Sequence, residues 1–334
     1  MRVTGAGPLT AAPEVVGGVR VGVPVTVRVP ASSANLGPGF DSMGLALALH
    51  DVVTVEASVP DAGGARATVD VVGEGAGVVP TGEDHLVVRA VRTGLERAGV
   101  EAPDLHLSCV NAIPHGKGLG SSAAAVVAGL VAARGLLAEP ERLDEATVFA
   151  LTTAAEGHPD NAAAAVFGGF VLAWVADGAG SGHLPAARHV GLAVDPAVRL
   201  VVCVPDADLP TSAARAMLPS AVPHGDAAFT AARAALLVEA LTRRPDLLLE
   251  ATRERLHQTQ RGPAMPATAA LLGSLREEGV PAVVSGAGPS LLALCVSDAE
   301  VDRVAAVAAA RPERWAVLTP DVDTTGGHLV EPPP

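Results

Sequence analysis

PHGKGLGSSAAA, residues 114–125, is the stretch on which the reading of this chain turns. Gly116, Gly118 and Gly120 alternate directly after an apolar run with the spacing of a strand, and Ser121 opens an Ala-rich helical segment. Glycines adopt positive φ and let a backbone wrap an anion with its N–H groups. The helix N-terminus behind such a loop adds free donors and a favourable dipole. The hydroxyls of Ser121 and Ser122 then stand where they can reach a phosphate oxygen or its Mg²⁺. The loop has neither the GxxxxGK[ST] spacing of a Walker A motif nor the GxGxxG dinucleotide fingerprint. A glycine-rich turn before a buried helix is the competing reading of the same spacing, and the paired serines favour phosphate.

Outward from the loop, LHLSCVNAIP (105–114) reads as a strand and SSAAAVVAGLVAARGLLA (121–138) as a helix. Upstream, VPVTVRVP (23–30), HDVVTVEASV (50–59) and ATVDVVGEG (67–75) read as strands, and EDHLVVRAVRTGLERAGV (83–100) as a helix. Downstream come a helix at 143–157 and strands at 167–177 and 198–206. Helices follow at 211–217, 226–242 and 245–257, then a strand pair around SGAGPS and a last helix from Ala299. Mixed strands and helices without regular βαβ alternation point to an α+β protein. The 334 residues suggest about two domains. Residues 1–22 read as a loose leader, with one domain over 23–190, a second over 191–317 and a frayed tail over 318–334.

The chain is 49% hydrophobic with a mean hydropathy of +0.38, and its net charge is −13. That acidity excludes broad attachment to nucleic acid or to an anionic membrane. The longest uncharged apolar run, Ala162 to Ala176, is interrupted by Gly168-Gly169 and is shorter than the ~20 residues a spanning helix needs. With no Leu-rich h-region near the start, a cytoplasmic protein is expected. Cys109, Cys203 and Cys295 are scattered among apolar neighbours, which predicts buried structural thiols rather than disulfides or a zinc site. Of 23 basic residues only Lys117 is lysine, so the Arg excess is compositional and makes single arginines weak clues.

Three further segments carry polar chemistry. PASSANLGPGFDSMGLAL (30–47) places Asn35, Gly37, Gly39 and Asp41 in a tight turn after a strand. EGHPDN (156–161) gathers Glu156, His158, Asp160 and Asn161. His158 alone is a weak metal ligand, since no second His stands at ligand spacing. SGAGPS (285–290) is a glycine turn between apolar strands. An ordinary loop or turn is the plain alternative for each.

Together these segments resemble the GHMP small-molecule kinases, and within them the homoserine kinase family. Pro114, Gly118, Leu119, Gly120, Ser121, Ser122 and Ala123 match the P-x-x-x-G-L-G-S-S-A signature. Pro30 to Asp41 is similar to the segment around the amino-acid pocket, and Glu156 to Asn161 to the metal and substrate strip. Thr211-x-x-x-Arg215-x-x-Leu218-Pro219 and His257-Gln-x-x-Arg261 resemble segments that donate substrate arginines. Ser285 to Ser290 matches the C-terminal glycine motif. The resemblance runs in order from about residue 23 to residue 315. Ala162–Ala165 replaces the usual Val-Ala-Pro after the Asp-Asn pair, and HQTQRGPAMP lacks the aromatic that more often precedes the Arg. Both departures bear on the pocket floor.

The resemblance implies a two-domain architecture, an N-terminal ribosomal-protein-S5-domain-2-like domain followed by a ferredoxin-like domain. It implies ATP-dependent phosphorylation of the side-chain hydroxyl of L-homoserine, a step in threonine biosynthesis. ATP would lie on Pro114, His115, Gly116, Lys117, Gly118, Leu119, Gly120, Ser121, Ser122 and Ala123, with Mg²⁺ on Ser122 and Glu156. Asp41 with Asn35 would receive the ammonium group, while Arg215 and Arg261 clamp the carboxylate. Thr211, Gly286 and Gly288 complete the substrate set. Asn161 would orient the attacking hydroxyl, with Asp160 the candidate base if the register shifts by one. His158 would bond the substrate or brace the loop. Threonine is implied as an inhibitor and a homodimer as the assembly. The rivals are another GHMP kinase, whose sugar or isoprenoid acceptor has no ammonium for Asp41, and a catalytically silent binding protein on the same fold.

Overall fold

The computed structural model describes residues 14–60, 63–179 and 184–331. A short hairpin, β1 (Glu14–Val16) and β2 (Val19–Val21), turns at Gly17-Gly18, so the described part of the expected leader is ordered. The chain continues through β3 (Val25–Ala34), β4 (Met43–Ser58), β5 (Ala67–Gly73), α1 (Leu86–Arg97) and β6 (Asp104–Asn111). Next come α2 (Ser121–Leu136), α3 (Glu145–Glu156), α4 (Asp160–Phe167), β7 (Phe170–Ala179) and β8 (Pro185–Leu192). The second half holds β9 (Arg199–Pro205), α5 (Thr211–Ala216), α6 (His224–Thr242), α7 (Leu248–Ala251), α8 (Gln258–Arg261) and α9 (Pro266–Glu277). It ends with β10 (Ala282–Val284), β11 (Leu291–Cys295), α10 (Asp298–Ala309), β12 (Trp315–Leu318) and β13 (His328–Val330).

The larger sheet runs β13-β3-β4-β6-β5, and β7 pairs with the first residues of β4 and with β8. Pro30 has no N–H to give the ladder, and the β3–β4 register shifts by a bulge between Pro30 and Ala31. Beyond the bulge β3 is buried on both faces, because α2 and α4 lie against it. α2 explains its own alanines. It is covered nearly all round, and a Cβ on Gly129 would stand 2.5 Å from Ala90 Cβ and 2.6 Å from the Val87 carbonyl. Only small residues let α1 and α2 approach that closely.

The smaller sheet, β10-β11-β9-β12, is antiparallel throughout. Strand alternation sorts its side chains into two cores. Val201, Cys203, Leu291 and Ala293 face α9 and α10, whereas Leu200, Val202, Leu292 and Leu294 join the main core with α6. The α+β expectation therefore holds, and all three cysteines are free and buried, as expected.

The frayed tail does not. After β12 the chain returns to the larger sheet, where β13 pairs with β3 and the Gly169 N–H donates to the Asp323 carbonyl. His50 meets the Asp323 carboxylate at 2.7 Å and locks this return. A three-residue strand next to a proline-rich end gives too little pattern to read. The helix expected over 245–257 is also broken: a 3₁₀ turn at Pro245–Leu247 leads into α7, and Arg253–His257 is irregular. There the Glu254 carboxylate takes the N–H groups of Leu256, His257 and Gln258, bonds a continuous helix would make with backbone carbonyls.

Candidate active site

The glycine loop leaves β6 held by Asp51, whose carboxylate accepts the N–H of Ala112 at 2.7 Å and of Ile113 at 2.9 Å. Burial pushes the Asp51 carboxyl above its ordinary range, against the pull of those two bonds. Gly116, Gly118 and Gly120 have φ of 66°, 75° and 70°, a region that residues with a Cβ rarely enter. Space requires glycine as well. A Cβ on Gly118 would sit 2.3 Å from the Ser285 carbonyl, and one on Gly120 would sit 2.0 Å from Ser32 Oγ. Gly120 caps α2 without a side-chain bond, so the first N–H groups of α2 have no side-chain partner.

A cavity of about 190 Å³ lies against this loop. Its walls bring together Asn35, Asp41, Gly116, Gly118, Gly120, Ser121, Ser122, Glu156, His158, Asp160, Asn161, Thr211, Arg215, Arg261 and Gly286. Residues more than 200 positions apart in the chain thus meet in one place. At one end Ser122 Oγ donates to Glu156 at 2.6 Å. Glu156 forms no ion pair among the described residues, which leaves a hydroxyl and a carboxylate as a hard oxygen pair beside the loop. In the middle, the Asn161 side-chain oxygen accepts Ser32 Oγ at 2.8 Å, and His158 Nδ1 shares a 2.6 Å bond with the buried carboxylate of Asp160. Burial alone would lower the His158 pKa; the Asp160 bond, with the charges of Asp160, Asp41 and Glu156, outweighs it and raises the pKa. Ligand atoms of Asp41, His158 and Asp160 lie within 4.8 Å of one another, but these groups already bond to Arg215 and to each other.

The far end carries the charges. Asp41 and Arg215 form a two-pronged ion pair at 3.0 and 2.8 Å, with side chains 34% and 43% exposed. Arg261 differs. It is 1% exposed, its NH1 makes only long contacts to His257 Nδ1 (3.4 Å) and the Gly286 carbonyl (3.3 Å), and its Nε has no partner. Among the described residues no carboxylate pairs with it, and burial and the nearby Arg215 lower its pKa. The Phe40 ring is near both guanidiniums, 5.6 Å from Arg215 and 5.4 Å from Arg261, and 5.1 Å from His257.

Some expected residues stand elsewhere. Leu119 and Ala123 are in the core, so their side chains do not reach the cavity. Pro114 and Gly288 are not on its wall either, and a Cβ on Gly288 would meet Met265 Sδ at 2.6 Å. Asn35 is spent on structure: its oxygen accepts the Asp41 N–H and its amide donates to the Gly286 carbonyl. Lys117 is not on the cavity wall, and its side chain binds residues 206–208. Sequence reasoning gave Phe40 and His257 no role of their own, and it missed a second, mostly apolar cavity of about 310 Å³ that shares Ser121 and Ser122 with the first. Asp51, Val53, Pro80, His85, Asn111 and His115 line it. Apart from His115 in the glycine loop, these residues come from β4, β6 and the segment before α1 and form no motif.

Comparison with known proteins agrees with this geometry. The family described as GHMP kinases N terminal domain matches residues 85–169, and GHMP kinases C terminal matches 232–313. The homoserine kinase of Streptomyces coelicolor is 50% identical over 307 residues, which is 92% of this chain and 94% of that protein. The chain belongs to the homoserine kinase branch of the GHMP kinases. Another member, the homoserine kinase of Mycolicibacterium vanbaalenii, is 53% identical over 82% of this chain and 85% of its own length. The crystal structure of homoserine kinase from Cytophaga hutchinsonii superposes with a TM-score of 0.78 over 92% of this chain and 97% of that one. At 24% identity, that likeness shows the fold. Kinases of this family use ATP, and no described helix is long and apolar enough to cross a membrane.

Proposed function

We propose that this chain transfers the γ-phosphoryl group of ATP to the side-chain hydroxyl of L-homoserine. The observation that carries the reading is Arg261, a buried guanidinium with no carboxylate partner among the described residues, facing the same cavity as Asp41, Arg215 and the glycine loop. Burying an uncompensated charge is costly, and a site that does so is built for a ligand that supplies the opposite charge. A substrate carboxylate answers Arg261 and Arg215 together, since the planar fork of arginine binds it with two parallel bonds. The substrate ammonium then takes over Asp41.

The phosphates of ATP lie on the glycine loop and the N-terminus of α2, and the base fills the second cavity, which meets the first at Ser121 and Ser122. Ser122 and Glu156 fit Mg²⁺, which takes oxygen ligands and keeps several waters. A bound metal would neutralise charge on the phosphates. Phosphoryl transfer asks mainly for positioning. The acceptor oxygen bonds to the γ-phosphorus as the bond to the β-bridging oxygen breaks, ADP leaves, and the hydroxyl proton passes to a phosphoryl oxygen or water. Asn161 cannot take that proton; held by Ser32, it orients the hydroxyl. His158, fixed by Asp160, leaves Nε2 for the substrate. Coupled assay of ADP release from purified protein, with homoserine, mevalonate and galactose as acceptors, tests the reading. Turnover of either of the other alcohols in preference to homoserine would sink it.

A further inference from the structure

Lys117 is the one lysine of the chain and stands between two glycines of the loop, a natural place for a phosphate ligand. Its side chain instead reaches residues 206–208. Nζ donates to the carbonyls of Asp206 at 2.6 Å and Ala207 at 2.9 Å, and meets the Asp208 carboxylate at 2.6 Å. An ammonium has three N–H donors, and these three oxygens use all of them. The Lys117 side chain is 13% exposed and that of Asp208 is 70% exposed, so the lysine is the enclosed partner of the pair. A fourth bond runs alongside, from the Leu209 N–H to the Gly116 carbonyl at 3.1 Å.

The segment so gripped leads directly into α5, which carries Thr211 and Arg215. α5 has six residues, no side-chain cap and a single buried side chain, Ala214. A helix that short does not hold itself in place, and tertiary contacts must set its position. Residues 206–210 before it have no regular structure, and the bonds from Gly116 and Lys117 fasten them to the glycine loop. The tether therefore joins the phosphate loop to the arm that presents Arg215.

We propose that Lys117 is a positioning residue, not a phosphate ligand, and that it couples occupancy of the nucleotide loop to the acceptor clamp on α5. Nucleotide ordering the loop fixes Lys117, Lys117 fixes residues 206–209, and these set where Arg215 stands relative to Arg261. By linkage, the acceptor strengthens nucleotide binding by the same factor. The inference rests on the homoserine kinase reading above.

The test uses the whole protein with K117M, K117R and D208N. Homoserine KM is measured at saturating ATP, and ADP affinity is measured by calorimetry with and without homoserine. In K117M, loss of a charge-assisted tether raises the homoserine KM about tenfold and abolishes the mutual strengthening. ADP alone binds within about twofold of wild type, because no phosphate contact is lost. K117R restores most of the KM, since a guanidinium can reach the same oxygens. D208N removes the ion pair on an exposed loop, keeps both carbonyl contacts and moves KM the same way by less; it carries the test if K117M does not fold. A tenfold loss of ADP affinity with homoserine KM unchanged would make Lys117 a phosphate ligand and overturn the inference, as would no change in either. Wild-type protein that does not phosphorylate homoserine overturns the functional reading; a wild type that does, with an unaltered KM in the variants, overturns only the tether.

Discussion

Replacing Arg261 by Met separates binding from stability more sharply than any other change at this site. Among the described residues Arg261 makes two long contacts, leaves Nε unpaired and meets no carboxylate, so the fold loses little hydrogen bonding with it. It also sheds the cost of a buried cation, which replacement by an apolar side chain of similar size commonly recovers. The Tm of R261M is therefore expected to stay level or rise by roughly 2–4 °C, the shift that about 1 kcal/mol produces in a protein of this size. Catalysis moves the other way. A charge-assisted hydrogen bond to a desolvated carboxylate contributes about 1.5–3 kcal/mol. Its loss lowers kcat/KM for homoserine by about 10- to 150-fold, at 1.36 kcal/mol per factor of ten. Arg215 differs because it already pairs with Asp41 at 2.8 Å in a part-exposed position and must exchange one carboxylate for another. Its net gain is on the order of 1 kcal/mol, so R215M should lose only about fivefold. The control substrate is 3-aminopropanol, homoserine without its carboxylate. It should be a poor substrate for the intact enzyme and should lose little more in R261M. The two substrates with two enzymes form a cycle that isolates the carboxylate–Arg261 coupling. A coupling near zero, or a drop in Tm as severe as the drop in kcat/KM, would refute the assignment.

Three further changes test the rest of the site. E156Q keeps an acceptor for Ser122 but removes the charge offered to a metal; kcat should fall on the order of 100-fold and half-saturating Mg²⁺ should rise, with Tm nearly unchanged. Equal loss of Tm and activity would assign Glu156 to the fold. N161D preserves the bond from Ser32 but adds charge near the γ-phosphate, so kcat should drop about tenfold, and a rise would show that the site lacks a base and gains from one. His158 has a raised folded pKa, so its contribution to stability is fully present below its ordinary value of 6.5 and is lost as pH rises through the folded value. The wild-type Tm measured against pH should therefore fall relative to that of H158N as pH climbs above 6.5, and parallel curves would show no linkage.

The parts of the site written as contiguous chain were legible without the fold. The glycine loop, Glu156 to Asn161 and Ser285 to Ser290 each carry their geometry locally, through positive φ at glycine or a helix start. The α+β class was legible for the same reason, since strand and helix periods are local. What depends on distant pairing was not. β13 has three residues, and its partner in β3 lies some 300 positions earlier, so nothing near residue 328 announces a strand. The Asp51 carboxylate that anchors the loop and the apolar cavity beside it combine residues from several elements. Lys117 shows the limit most clearly. Its place in the motif suggested phosphate, and only the course of residues 206–208 in three dimensions reveals where its protons go.

The charge pattern favours the proposed amino-acid acceptor over a simple anion or a neutral alcohol. Asp41 and Arg215 neutralise each other when the pocket holds no ligand, while Arg261 remains uncompensated. A monoanion such as a hydroxy acid could answer Arg261, but it has nothing to give Asp41 if it also draws Arg215 away. A neutral alcohol answers neither and leaves the buried cation as it was. A zwitterion alone can engage both arginines through its carboxylate and replace the lost partner of Asp41 with its ammonium. Every charge at that end of the cavity then has a partner, and the hydroxyl is left free to reach toward Asn161 and the phosphates. In the proposed binding mode, selectivity would arise from a pair that only a ligand with both charges can open without leaving one charge unpaired.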